Sequence, residues 1–559
     1  MNHDVDVAIV GGGFGGSLLA LVLRRAGLRV ALIDRGSHPR FAIGESSTPI
    51  ANLVLGDLCR EYDLSRIAPL TKYGTWQGAY PQIVAGIKRG FSYFHHVAGQ
   101  PFVTDADHST ELLVAASSSD QSSDTHWLRQ DVDAFLFREA ETAGAICFEQ
   151  TDVVELEPSG DGAALMLRSL SRPIDKTSQA SGEASAPRFG QDSCSDGQVR
   201  DDHTGGLTSL RSPGNVLLRA RFVVDGSGEG RFLARRLGIG DKTHELKTQS
   251  RTVFAHFGDV TRWQQCLEAN EVSVADHPFE CDHAALHHVF DGGWMWQLRF
   301  NDETVSAGFV QDLSKPQVFA GSPLAGRGPA GDASEEWRLW MDRFPSIAEQ
   351  YAPSKVVRPK TGLRATGRMQ RKLANTVGPW WAMLPNTAGF VDPLHSSGIA
   401  HTLCGIERLS RILVRHLGRD DLLTQLRGYE AHVLAEVELI DLLVSGCFAA
   451  MGEFRLFGAM SMLYFAAATS YERARIASTG SFAPAFLRAD EPGWREVVSR
   501  MWDRLQAVLR ELEGRTGERR REIIDRFEGE LADAVQPFNV VGLCDPALKN
   551  MYRHSALPE

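Results

Sequence analysis

The sequence predicts an α/β protein, and three observations carry that reading. A strand-like run at residues 5–10 meets a glycine turn at 11–16, followed by a segment with Leu18, Leu19, Val22, Leu23 and Ala26 on one helical face. A second strand-like run at 29–33 completes a strand-helix-strand unit whose strands must be parallel. Much later, residues 221–225 end in Gly226-Ser227-Gly228 and lead into a helical segment, Phe232–Leu237, so the chain re-enters the same sheet. From His401 onward apolar residues recur at helical spacing, as in Val433, Val437, Ile440 and Val444, and again in Val498, Met501, Leu505 and Leu512. The expected architecture is a Rossmann-type three-layer core with an inserted β-sheet on the substrate side, within residues 1–400, and a helical region at 401–559.

The N-terminal unit is justified by its turn. In Gly11-x-Gly13-x-x-Gly16 the first glycine permits the tight bend, the second lets backbone approach a pyrophosphate, and the third allows close helix-strand packing; Gly15 lies on the same turn. Asp34, closing the second strand, is placed to accept from a ribose hydroxyl. The returning strand end at Val223-Val224-Asp225-Gly226 favours FAD over NAD, because flavoproteins of this kind bring a second strand end back to the dinucleotide.

The intervening and terminal segments follow from composition. Residues 168–214 are rich in Ser, Gly, Asp, Pro and Gln with little apolar pattern, and are expected to form a disordered surface insertion. In the helical region Met451, Phe454, Phe457, Met460, Met462, Tyr464 and Phe465 read as core packing, with a pocket wall or partner surface left open. Lys+Arg 59 against Asp+Glu 70 gives a net charge of -11 without a basic stripe, which argues against nucleic acid. Eight scattered cysteines lack ligand spacing, so neither a disulfide framework nor a metal is expected. The longest apolar stretch, 456–468, is too short to span a bilayer and no signal-peptide pattern opens the sequence, so a cytoplasmic location is expected.

Four further motifs carry chemistry. Gly292-Gly293-Trp294-Met295-Trp296-Gln297-Leu298 fits a W-x-W-x-I pattern with Leu298 in the last place, and residues 390–398 fit F-x-x-P-x-x-S-x-G throughout. Gly44-Glu45-Ser46-Ser47-Thr48-Pro49 fits G-E-x-x-x-P, and Gly86-Ile87-Lys88-Arg89-Gly90-Phe91 sets a lysine beside an aromatic run. On these motifs the chain resembles the flavin-dependent halogenases, from about residue 5 to 403.

The resemblance implies that reduced flavin from a separate reductase, dioxygen and chloride or bromide together yield hypohalous acid. It assigns Lys88 as the catalytic amine that delivers the halogen, with Lys72 as the competing lysine. Ser397 and Gly398 become the halide site, Trp294 and Trp296 the flavin shield, and Glu45, Ser46, Ser47 and Asp392 flavin contacts. Arg40, Arg129, Val153, Asp225 and Gly398 complete the cofactor set. His395 stands where the tryptophan-specific branch carries a glutamate, which favours a phenol-like aromatic, free or tethered to a carrier protein. His395, His95 or His96 is then a candidate base. An aromatic hydroxylase and a catalytically silent flavin-binding protein remain as alternatives.

Overall fold

The computed structural model describes residues 2–160, 162–170, 215–315, 332–478 and 484–553. Its first layer is an eight-stranded sheet. Strands Asn2–Val10, Val30–Ile33, Ile146–Phe148, Asn215–Asp225 and Trp381–Met383 run parallel within it, with Asn2–Val10 between Asn215–Asp225 and Val30–Ile33. Val7, Ala8, Ile9 and Val30 to Ile33 are buried, as expected of strands covered on both faces. The returning strand is longer than its sequence signal, because residues 215–220 also pair with the antiparallel Gly162–Ser169. That strand claims Arg168 and Ser169 from the expected insertion; residues 171–214 lie outside the described residues.

The helix Phe14–Arg25 is buried from Phe14 through Leu23, more than one apolar face requires. The cause is tertiary: the sheet lies on one side and the helix Ser397–His416 on another, so Leu18, Leu19, Leu403 and Leu409 share one core. A Cβ on Gly16 would stand 1.9 Å from the Gly11 carbonyl oxygen, so this helix-strand contact admits only glycine.

A second sheet of nine strands stands on the substrate side. Its order runs Lys355–Arg358, Ser250–Gly258, Val305–Asp312, Gly293–Arg299, Ala285–Phe290, Gly90–His96, Glu111–Ala115 and Met551–Tyr552, with Arg364–Ala365 also on Ser250–Gly258. The terminal strand Met551–Tyr552 corrects the expectation of a wholly helical tail: it pairs in parallel with Leu113 and Val114, where a free sheet edge gains a partner.

The remaining tail forms long helices, chiefly Leu422–Ala450, Phe454–Ala477, Pro492–Leu512 and Gly517–Val535. Ser397–His416 crosses the expected boundary at 400/401, and its core is continuous with the parallel-sheet unit. Phe457, Tyr464 and Phe465 pack on Phe91 and Tyr93 of the second sheet. No helix of the described residues is long and apolar enough to cross a membrane.

Candidate active site

A cleft of about 1290 Å3 opens between the two sheets, and most of the predicted residues converge on it. Gly11, Gly13 and Gly15 line one end with Asp34, Arg40, Arg129 and Val153. Gly11 holds φ +114°, and a Cβ there would meet the Gly226 carbonyl at 2.4 Å, so the two glycine turns close against each other. Asp34 accepts from the N–H groups of Gly12 (2.7 Å) and Gly36 (2.7 Å), and Arg40 stands 3.3 Å from it. Arg129 forms a bidentate pair with Asp133 (2.8 and 3.0 Å) and donates to the carbonyls of Ile43 and Gly44, pinning the turn that carries Glu45. Val153 offers its carbonyl to Arg236.

Three predicted residues sit off this surface. Gly16 is spent on packing. Asp225 is fully buried and accepts from the N–H groups of Ser227 (2.9 Å) and Leu233 (2.7 Å), so it shapes the turn whose residues 226–231 line the cleft. The Ser47 hydroxyl turns away and accepts from the Thr125 N–H at 3.1 Å.

At the other end Trp294 and Trp296 face the cleft from one strand, with ring centroids 6.2 Å apart. Asp392 accepts from the Ser250 hydroxyl at 2.7 Å, and burial pushes its carboxyl up to about 7. Ser397 and Gly398 begin a 20-residue helix, preceded by Ser396 in the left-handed region at φ +54°. The leading N–H groups of a helix lack intrahelical partners and carry its positive dipole end, so this rim of the cleft attracts anions. A Cβ on Gly398 would meet no atom within 4 Å, which leaves space at that rim.

Lys88 does not line the cleft. Strands Ala85–Lys88 and Asp124–Trp127 pair antiparallel with Lys88 opposite Asp124, and residues 45–47 add to the far side of that ribbon. The Ser46–His126 bridge, the Ser47 N–H to Thr125 bond and the Trp127 N–H to Glu45 bond fix this addition. Lys88 reaches across, donating from Nζ to the Ser47 carbonyl at 2.5 Å, with the amine 4.1 Å from the Phe91 ring centroid. Glu45 and Ser46 line the cleft while Ser47 receives the lysine, so a single extended segment separates the cleft from the Lys88 amine.

The lysine is fully buried, and burial pushes its amine down to about 7 against the opposing pull of Asp124. Burial likewise pushes Asp124 up to about 7, against Lys88 and Lys72. Asp124 Oδ1 accepts from Asn52 Nδ2 at 2.5 Å, and Oδ2 finds no hydrogen-bond partner among the described residues. Neither Asp124 nor Asn52 was picked out from sequence; the only signal was that Asp124 heads the strand leading to Arg129.

His395 is also off the cleft, stacked on Tyr464 at 4.3 Å with Nδ1 3.5 Å from the Tyr93 hydroxyl. Burial pushes it down to about 3, with His287 and Lys88 adding to the effect, so the ring is neutral and a poor proton acceptor. His95 stacks on Phe454, and His96 lies 2.8 Å from His288, pushed down to about 3 by burial. His287, absent from the sequence reading, lines the cleft and stacks on Tyr93 at 4.6 Å. Lys72 donates to the Ser122 carbonyl at 3.1 Å.

The polar atoms that the protein leaves unsatisfied show what the cleft fits. Arg40 Nε, Ser46 Oγ, Arg371 Nε and Asn386 Oδ1 belong to cleft-lining residues, are buried, and find no hydrogen-bond partner among the described residues. A bound molecule with phosphate and hydroxyl groups at the glycine end satisfies such donors and acceptors. Together the two sheets, the paired glycine turns and the cleft fit the class of FAD-binding flavoproteins, with Arg40, Arg129 and the Gly11–Gly15 turn lining the end that suits a dinucleotide.

Comparison with known proteins takes the identity one step further. A model described as an NAD(P)-binding Rossmann-like domain matches residues 9–53. Monodechloroaminopyrrolnitrin halogenase PrnC of Pseudomonas fluorescens is 27% identical over 470 residues, covering 83% of this chain and 71% of the relative. Tetracycline 7-halogenase of Kitasatospora aureofaciens is 27% identical over 473 residues, covering 83% and 74%. The crystal structure of halogenase PltM in complex with phloroglucinol and FAD superposes with a TM-score of 0.77 at 22% identity, covering 98% of this chain and 99% of that one. Over most of its length the chain is similar to flavin-dependent halogenases.

Proposed function

We propose that the protein halogenates an electron-rich, phenol-like aromatic, using reduced FAD supplied by a separate reductase, dioxygen and chloride or bromide. The observation that carries this reading is the buried Lys88 amine, held across one extended segment from the cleft and packed over the Phe91 ring. Bound reduced FAD supplies, with dioxygen, the oxidising power that converts halide to hypohalous acid and water. The residues of the chain then divide the remaining work.

The helix start at Ser397 and Gly398 holds the halide by backbone N–H groups rather than by a formal charge. Trp294 and Trp296 wall the cleft against the aromatic substrate. Use of the hypohalous acid by Lys88 requires it to pass the Glu45–Ser47 segment, which stands between the cleft and the amine. With its amine brought down to about 7, Lys88 presents a useful fraction of free base near neutrality, able to take up the halogen or to orient the acid. Ring substitution exchanges a proton for halogen. Asp124, opposite Lys88 and with Oδ2 unpartnered, is the acceptor for that proton, a role for which His395 is too weak a base.

Relatives named for a pyrrolnitrin precursor and a tetracycline, and a structural neighbour complexed with phloroglucinol, support an activated aromatic substrate. The test supplies the protein with a flavin reductase, bromide and a mixed panel of phenols, pyrroles and indoles, and reads the bromine isotope pattern. Brominated phenols are expected. Products that gain oxygen without halogen would overturn the proposal in favour of hydroxylation, and turnover confined to indoles would remove the phenolic assignment.

A further inference from the structure

Away from the cleft, at the outer edge of the nine-stranded sheet, two histidines surround a buried carboxylate. Glu111 opens the strand Glu111–Ala115 and is fully buried. Its Oε2 lies 2.7 Å from His108 Nδ1, and its Oε1 lies 3.6 Å from Nε2 of His277, whose side chain is 2% exposed. His108, in the preceding turn, holds φ +51°. The 3.6 Å gap is too long for a hydrogen bond, and Glu111 Oε1 and both His277 ring nitrogens find no hydrogen-bond partner among the described residues. Ligand atoms from all three residues lie within 4.8 Å of one another.

We propose that His108, Glu111 and His277 form a structural site for a divalent transition-metal ion, zinc in the first instance. Three arguments converge. A buried imidazole nitrogen and a carboxylate oxygen without partners are costly unless something binds them, and one cation between them satisfies His277 Nε2 and Glu111 Oε1 together. Two donors on one tetrahedral zinc, each at about 2.0–2.1 Å, stand roughly 3.4 Å apart, close to the Glu111–His277 separation. Imidazole ligands select zinc or a neighbouring transition metal over calcium or magnesium, which prefer oxygen. Asp276 Oδ2 lies 3.6 Å from His108 Nε2 on a largely exposed side chain, and can complete the coordination or leave that place to water.

The location gives the ion a task. Glu111 begins the strand on which Met551–Tyr552 is laid and His108 lies in the turn before it, Asn550 donates to the His108 carbonyl at 3.0 Å, and Lys549 pairs with Asp107 at 2.8 Å. His277 belongs to the separate loop between the helix Trp263–Ala269 and the turn Cys281–His283. An ion there ties that loop to the sheet edge and, through His108, to the terminal strand. The sequence expectation of no metal rested on cysteine spacing, which cannot register histidines 169 positions apart in the chain.

The test uses the full chain, purified without a polyhistidine tag, stripped with chelator and titrated with zinc alone. Uptake of one equivalent at sub-micromolar free zinc is expected, with the thermal midpoint raised by on the order of 5 °C and flavin binding unchanged. His277→Gln and Glu111→Gln should each abolish that uptake. Failure of the wild-type protein to take up zinc would overturn the proposal and leave a histidine-carboxylate cluster. Unchanged uptake in both variants would place the metal elsewhere and overturn it equally. Should the variants fold poorly, zinc-edge X-ray absorption of the wild-type protein decides: nitrogen and oxygen ligands with two imidazoles support the site, and sulfur ligation refutes it.

Discussion

Lys88→Met separates making the oxidant from using it, and the structure sets the sizes of the competing effects. Methionine is close to lysine in length and keeps the apolar contact with Phe91. The loss is the Nζ bond to the Ser47 carbonyl, which leaves a buried acceptor unpaired at a cost of about 1–3 kcal/mol. Against it stands the cost of burying the amine. An amine lowered from 10.5 to about 7 binds fewer protons folded than unfolded between those values. The fold therefore bears a cost for the buried amine at and below pH 7 that shrinks as pH rises towards 10.5, while removing the amine also takes the facing charge from Asp124. Relief of burial opposes the lost hydrogen bond and the lost partner of Asp124, so the variant's stability relative to wild type should rise as pH falls. Halogenated product should fall by at least about 10³-fold, roughly 4 kcal/mol of barrier. Reoxidation of bound reduced flavin and release of hypohalous acid to an external trap should persist. Stopped-flow absorbance, product mass spectrometry and thermal melts at pH 6, 7.5 and 9 measure these quantities. Product within tenfold of wild type, or loss of FAD binding, would refute the assignment.

Asp124→Asn keeps the shape and the Asn52 neighbour but removes the proton acceptor; kcat should fall by about 10²-fold with substrate KM little changed, and an unchanged kcat would show that the proton leaves by another route. Gly398→Ala places a methyl group in open space at the helix start, so the fold should be retained while KM for bromide rises at least about tenfold; a halide KM within twofold of wild type would move the anion site. Glu436 concerns acid stability: burial pushes its carboxyl up, but the Arg408 guanidinium and the His401 ring outweigh it and bring it from 4.5 to about 2. A carboxyl lowered in the fold stabilises it above pH 4.5 and loses that contribution as pH falls towards 2, so Glu436→Gln should cost about 3 kcal/mol or more at pH 7. The gap from wild type should close between pH 4.5 and 2 in denaturant titrations, and a gap constant with pH would contradict the ion pair's role.

Local signals in the sequence were enough for the cofactor half of the fold. The Gly11–Gly16 turn, Asp34 and the return at residues 221–228 each carry their geometry within a few residues, so the parallel sheet and the glycine end of the cleft were legible from spacing alone. The surroundings of Asp225 could not be read from sequence, because a strand-end carboxylate reads the same whether it faces a ligand or caps the next turn; here it accepts from the Ser227 and Leu233 N–H groups. The aromatic run of the tail could not be assigned to core or pocket, since its partners Phe91 and Tyr93 lie more than 350 residues earlier in the chain.

The Lys88 site shows the limit most clearly. Its chemistry depends on three short extended segments at residues 45–47, 85–88 and 124–127, none with enough apolar alternation to declare a strand, meeting only because the ribbon pairs across them. A lysine in sequence is by default a solvated charge. What marks this one is its burial with Asp124 as the facing carboxylate, an arrangement that lowers the amine and raises the acid together. Retaining such a pair where a methionine would fit is difficult to account for by stability, because neutralising both groups forfeits most of their mutual attraction while the desolvation cost remains. The pair makes physical sense if the amine must be accessible as free base near neutral pH and a carboxyl must stand ready to take a proton, which is the demand that electrophilic substitution of an aromatic ring places on its surroundings.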